Sequence, residues 1–222
     1  MMNTRWVAAT AAFLVLTDAS PAAAIRVYNY SDDGLAAAPI ASYSGALLTT
    51  GSGAIAVGAF ATLTDSALSQ AMTSPAAWAA VLADFIAYAD TKANPIKIGD
   101  GVGISGLYDA DKGQPIPAAS PLVGRTIYTI IGNGATLETS TQIAIVKDAE
   151  VFSADAPVFQ ATANPSEQGS TIILGSLGPA VAIPELQGSF AVLRLSIPEP
   201  EVVSLGLIAL GTVCGCRRRR NV

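Results

Sequence analysis

Fifteen residues without a charge, from Val202 to Cys216, are followed by four consecutive arginines, Arg217, Arg218, Arg219 and Arg220, near the end of the 222-residue chain. As a helix rising about 1.5 Å per residue, such a run reaches about 22 Å. That is short of the roughly 30 Å hydrocarbon core, although arginine side chains that snorkel outward extend its reach. A basic cluster of this kind holds the extreme C-terminus in the cytoplasm and leaves everything before it outside. The other end has a matching address. Arg5 precedes an apolar run over residues 6–16, and a small, polar stretch follows to Ala24. Basic, apolar, then small is the order of a secretory signal peptide. Ala22 and Ala24 supply the small-x-small pattern, which predicts cleavage after Ala24. Residues 1–24 and 198–222 are therefore set aside, and residues 25–197 are left to fold as one extracytoplasmic domain.

Pro198, Glu199 and Pro200 stand directly before the tail. A Pro-Glu-Pro triplet, a short membrane helix and a terminal arginine cluster, in that order behind a signal peptide, resemble the PEP-CTERM sorting signal. The resemblance covers about the last tenth of the chain. It implies that a membrane exosortase removes the tail near the triplet, after signal peptidase has removed the leader. The inner membrane then holds the chain only transiently. It also implies a destination at the cell surface or in an extracellular, exopolysaccharide-linked matrix. Cys214, Cys216 and three glycines make this span less apolar than a leucine-rich tail, and a permanent anchor is the alternative use of the same segment.

Composition narrows the chemistry of the body. There is no histidine, so Ser-His-Asp, Cys-His and histidine-zinc sites are excluded. Both cysteines lie in the tail, so no disulfide forms within the body and packing alone must hold it. Residues 25–197 carry seven Lys and Arg against fourteen Asp and Glu, a balance of −7. A body this acidic repels nucleic-acid phosphates.

Alternation over residues 25–30 predicts a strand with Ile25, Val27 and Asn29 on one face and Arg26, Tyr28 and Tyr30 on the other, followed by a turn at residues 31–34. Residues 47–50 and 54–60 flank Gly51-Ser52-Gly53 and read as a hairpin. Ser74 as N-cap and Pro75 at the first position predict a helix, with Trp78, Val81, Leu82, Phe85 and Ala89 at helical spacing and an end near Asp90. A shorter helix is expected over residues 65–72. Strands return over residues 126–131, ending at Gly132-Asn133-Gly134, and over 142–147, 171–174 and 189–197. The expected fold is mainly β (α+β): a small antiparallel β-sandwich with a helical insertion, plus the N-terminal signal helix and the C-terminal membrane helix.

Several clusters invite a site. Gly101-Val102-Gly103-Ile104-Ser105-Gly106 matches the dinucleotide-binding spacing after a possible strand at 96–98. Pro115 and Pro117 follow where the fingerprint needs a helix, so a loop without cofactor is expected. Asp109, Asp111 and Gly113 hint at a Ca²⁺ loop but lack the remaining oxygen ligands, and Lys112 opposes a cation; a solvated turn without metal is expected. Asp109 with Asp111, or Asp148 with Glu150, have a spacing that acid–base glycoside hydrolysis allows. Trp78 and the tyrosines (Tyr28, Tyr30, Tyr43, Tyr88, Tyr108 and Tyr128) could stack on sugar rings; Trp78 belongs to an apolar stripe and reads as core, whereas Tyr28 and Tyr30 are the better sugar platform. Three function classes follow: a non-catalytic structural or adhesive matrix protein, which is the expectation, a carbohydrate-binding module, and a secreted hydrolase using carboxylates.

Overall fold

Residues 54–60 read Ala-Ile-Ala-Val-Gly-Ala-Phe and are buried at every position. A strand buried on both faces needs a layer on each side of its sheet. The computed structural model describes residues 24–31, 36–154, 158–162 and 169–197 and supplies both layers. In chain order the elements are β1 (Ala24–Tyr28), β2 (Ile40–Ala41), β3 (Ala54–Phe60), α1 (Asp65–Ser69), α2 (Pro75–Asp84), β4 (Phe85–Ala87), β5 (Asp109–Gly113), β6 (Thr126–Gly132), β7 (Ile143–Val151), β8 (Val158–Thr162), β9 (Thr171–Leu174), β10 (Ser176–Ile183) and β11 (Gly188–Arg194). Strands take 39% and helices 12%, so the chain is mainly β, as its alternation predicts. The described strands form three sheets and no closed barrel.

The central sheet has the order β4-β3-β6-β7-β9 and is antiparallel throughout. Successive side chains point to opposite faces. Ala54, Ala56, Phe60, Tyr128, Ile130, Ile143 and Ile145 meet Leu68, Ala71, Met72, Trp78 and Val81 of the helical segment. Ile55, Val57, Ala59, Ile127, Ile131, Ala144 and Val146 meet Ile25 and Val27 of β1, with Ile40, Leu193 and Leu195 beside them. Each fully buried Ile or Leu contributes about 1.5–3 kcal/mol, so a body without disulfides can stand on these two cores. The two outer sheets, β5-β1-β8 and β10-β11-β2, each combine one antiparallel pairing with one parallel pairing (β1 with β8, β2 with β11). The expected pairing was antiparallel alone, and short local alternation does not report the direction of a distant partner.

The helix starts where local chemistry places it. Ser74 accepts from the Ala77 N–H at 3.1 Å, and Pro75 is the first helical residue. It ends at Asp84 and not near Asp90. Residues 85–87 instead pair with β3, with Phe60 opposite Phe85 and Gly58 opposite Ala87. Phe60 stands 5.3 Å from Phe85 and edge-on to Tyr128 at 5.1 Å. Sheet pairing and aromatic packing outweigh the helical spacing. The hairpin expected across Gly51-Ser52-Gly53 is also absent, because β4 and β6 occupy both edges of β3. Leu47 bridges to Ala41 instead, and Ile96 makes a single bridge to Ile55 where a strand at 96–98 was expected. Most of the turn expected at residues 31–34 lies outside the described residues.

Two carboxylates fasten the helical segment to the sheet. Asp65 of α1 accepts from Lys147 Nζ at 2.8 Å and from the Tyr128 hydroxyl at 2.7 Å, and these donors hold its carboxyl below the ordinary value. At Asp84, burial pushes the carboxyl up, but donors from Thr62, Leu63 and Ala61 outweigh it and leave the group depressed. A depressed folded-state value stabilises above the unfolded value, near 3.9, and is lost as pH falls through the folded one. Unfolding midpoints should therefore be flat above pH 5 and fall below pH 4. Asp65→Asn combined with Asp84→Asn should flatten that acid limb; an unchanged limb in the double variant would contradict the assignment.

Candidate functional site

One carboxylate of each pair is engaged by the fold. Asp109 lies on β5, which is a strand and not the expected turn, because residues 109–113 pair with β1 along their whole length. Its two oxygens take the Arg26 fork, Nε to Oδ1 at 2.9 Å and Nη2 to Oδ2 at 2.7 Å. The Arg26 guanidinium also lies over the Tyr28 ring, 4.9 Å from its centroid. Asp111 faces Arg26 in register and is exposed. On β7, Asp148 Oδ1 accepts from the Glu150 N–H at 3.0 Å. Hydrolysis would require two carboxylates across a cleft. Neither pair lines the clefts described below.

The glycine-rich segment 101–106 is a loop, and α2 precedes it in the chain. Gly101, Gly103 and Gly106 have φ of +74°, +70° and +78°. The loop packs backbone to backbone, with the Gly99 N–H on the Leu107 carbonyl at 2.6 Å and the Asp109 N–H on the Asp100 carbonyl at 2.9 Å. Gly101 and Gly106 serve close approach within the protein, while Gly103 faces open space.

The aromatic residues fall differently from the sequence expectation. Tyr28 is 6% exposed, covered by Arg26, and cannot present a face to a sugar. Tyr30 is half-buried, with its hydroxyl 3.4 Å from Asp109 Oδ2. Trp78 is 9% exposed and packs in the core as expected, yet it also lines a cleft of about 250 Å³ with Met72, Ser74, Pro75, Glu138 and Thr141. A second cleft of about 250 Å³ lies against Tyr88, Gln114, Ile116 and Leu122. Among the described residues the exposed aromatic is Tyr43, at 56%, whereas the sequence favours Tyr28 and Tyr30. It sits on a tight turn closed by the Ser42 N–H on the Ala46 carbonyl at 2.8 Å, and its own N–H is held by Gln142 Oε1 at 2.8 Å.

Arg194, at the end of β11, is not among the site residues that the sequence suggests. Its side chain lies between two glycines. A methyl group at Gly45 would stand 2.7 Å from Nη2, and one at Gly178 would strike Nε. Nε is sealed from solvent without a hydrogen-bond partner. Only the run of residues 189–197 was visible beforehand, and strand alternation says nothing about who faces an arginine.

Near the end of the described residues, Ser196 exchanges both backbone hydrogen bonds with Ile143, at 2.9 and 2.8 Å. Leu195 is buried and Ile197 is exposed. Pro198, Glu199, Pro200 and Arg217 to Arg220 lie outside the described residues, as does Ala22, while Ala24 opens β1. No family model, no curated protein and no solved structure matches the chain.

Proposed function

We propose that the chain is an exported, non-catalytic surface or extracellular-matrix protein, structural or adhesive, delivered by a C-terminal sorting signal that an exosortase processes. The body is read as a small β-sandwich with a helical insertion, since β1 packs Ile25 and Val27 onto one face of the central sheet and the helices cover the other. The observation that carries the reading is the order Pro198-Glu199-Pro200, uncharged span, four arginines. The body's end is compatible with such processing. Its last paired residue is Ser196, and the last buried side chain among the described residues is Leu195. Cutting near the triplet would therefore remove no described core contact.

Intact-mass measurement of the protein recovered from cells and from medium tests this. The expected mature species lacks the leader and ends near Pro198. Replacing Arg217 to Arg220 by Asn should leave the tail uncut, because the basic end no longer holds its side of the membrane. A mature wild-type species still carrying the arginine cluster would overturn the reading.

A further inference from the structure

A half-buried guanidinium without a counter-group is uncommon, because leaving buried N–H donors unmet carries a penalty that native folds generally avoid. Every other arginine among the described residues is served. Arg26 has Asp109, and Arg125 donates to the carbonyls of Phe60, Ala61 and Pro121. Arg194 has no carboxylate within ion-pair distance among the described residues. Its Nε meets nothing, although the slot that holds it is shaped to it by Gly45 at φ +92° and by Gly178. The slot excludes alternative positions for the side chain without bonding to it. Of the three guanidinium nitrogens, Nε alone is sealed away, which leaves the Nη1/Nη2 edge to meet a ligand.

We propose that Arg194 is the anion-binding residue of a surface site for the carboxylate of an acidic sugar, with the Tyr43 ring as the apolar face for the sugar. Two parallel N–H groups match the two oxygens of a planar carboxylate. Tyr43 lies two residues from the glycine that packs on the guanidinium and is 56% exposed. The Ser42 and Ser44 hydroxyls on the same turn, 2.9 Å apart and exposed, suit ring hydroxyls. The body's negative balance does not forbid this. Exposed charges are screened over about 8 Å at physiological salt, and the site is read by contact. That the sugar belongs to a matrix polysaccharide rests on the function proposed above; the site itself does not.

The test uses the full-length chain in mild detergent, with glucuronate as probe and glucose and sulfate as comparisons. At about ten times its dissociation constant, glucuronate should raise the unfolding midpoint by about 3–5 °C, and glucose should not. Arg194→Met should lose the response while unfolding no earlier than wild type, since it removes an unmet donor. Tyr43→Ala, at an exposed position, should weaken glucuronate about tenfold and leave the midpoint without ligand unchanged. No response from folded wild type, or an Arg194→Met variant that responds fully, overturns the site. A sulfate response equal to that of glucuronate overturns the sugar-acid assignment. None of these outcomes depends on whether the tail is cut in cells, which the mass measurement decides separately.

Discussion

Asn29→Leu is expected to lower the unfolding free energy by about 2–6 kcal/mol, a large part of the 5–15 kcal/mol that holds an ordinary domain. Asn29 is fully buried and its amide is used completely by backbone. Nδ2 donates to the Ala38 carbonyl at 3.0 Å and to the Gly106 carbonyl at 2.8 Å, while Oδ1 accepts from the Tyr108 N–H at 2.9 Å. One side chain thus ties the end of β1 to the segment before β2 and to the end of the glycine-rich loop. Leucine has the same number and branching of side-chain heavy atoms and is bulkier, so the substitution opens no cavity. What it removes is three hydrogen bonds; the Gly106 carbonyl keeps the Ile40 N–H at 2.8 Å, whereas the Ala38 carbonyl and the Tyr108 N–H are left unmet at about 1–3 kcal/mol each. Urea denaturation with unchanged slope and a lower midpoint is the expected record. A loss below about 1 kcal/mol would mean that water or a local shift replaces the amide, and that Asn29 is not the tie described.

Gly101→Ala should lose about 3–5 kcal/mol, whereas Gly103→Ala, two residues away, should lose only about 1 kcal/mol. Both glycines sit in the left-handed region, at φ +74° and +70°, so alanine is strained at either. They differ in what surrounds them. A methyl group at Gly103 meets nothing within 4 Å, while one at Gly101 falls onto the Asp109 carbonyl oxygen. That obstacle is backbone, and no rotamer change can clear it. Moving it would disturb the start of β5, from which Asp109 reaches Arg26. The comparison separates conformational strain from close approach within a single loop. Equal losses at the two positions would show that the Asp109 backbone yields easily and that φ alone matters. In a spacing that mimics a cofactor fingerprint, the backbone that Gly101 admits is the protein's own.

Where local chemistry decides, the chain could be read directly. Ser74 caps a helix that begins with Pro75, because an N-cap needs only an oxygen three residues before an N–H. Strands β1, β6, β7, β9 and β11 announced themselves by β-branched content or alternation, and alternation placed Asn29 on the face of Ile25 and Val27. Why a polar amide belongs on that face was not legible, since its partners are Ala38, Gly106 and Tyr108. The same limit explains β5, whose acidic residues 109 and 111 resemble a turn until β1 pairs with them. It also explains the end of α2, where Phe85 obeys β3 instead of the helix.

The sequence by itself determined the Pro-Glu-Pro triplet, uncharged span and arginine cluster on which the proposed sorting rests, the lack of histidine and of a body disulfide, the mainly β character and the helix start. Each of these depends on residues adjacent in the chain or on composition alone. Only the tertiary structure decided that Tyr28 is covered, that Trp78 borders a cleft, that Asp109 is taken by an arginine 83 residues away, and that Arg194 lies in a glycine slot with Nε unmet. The physical reason is common to all four. Exposure and electrostatic partnership are set by which distant segments pack together, and a strand's alternation specifies a face without specifying what that face meets.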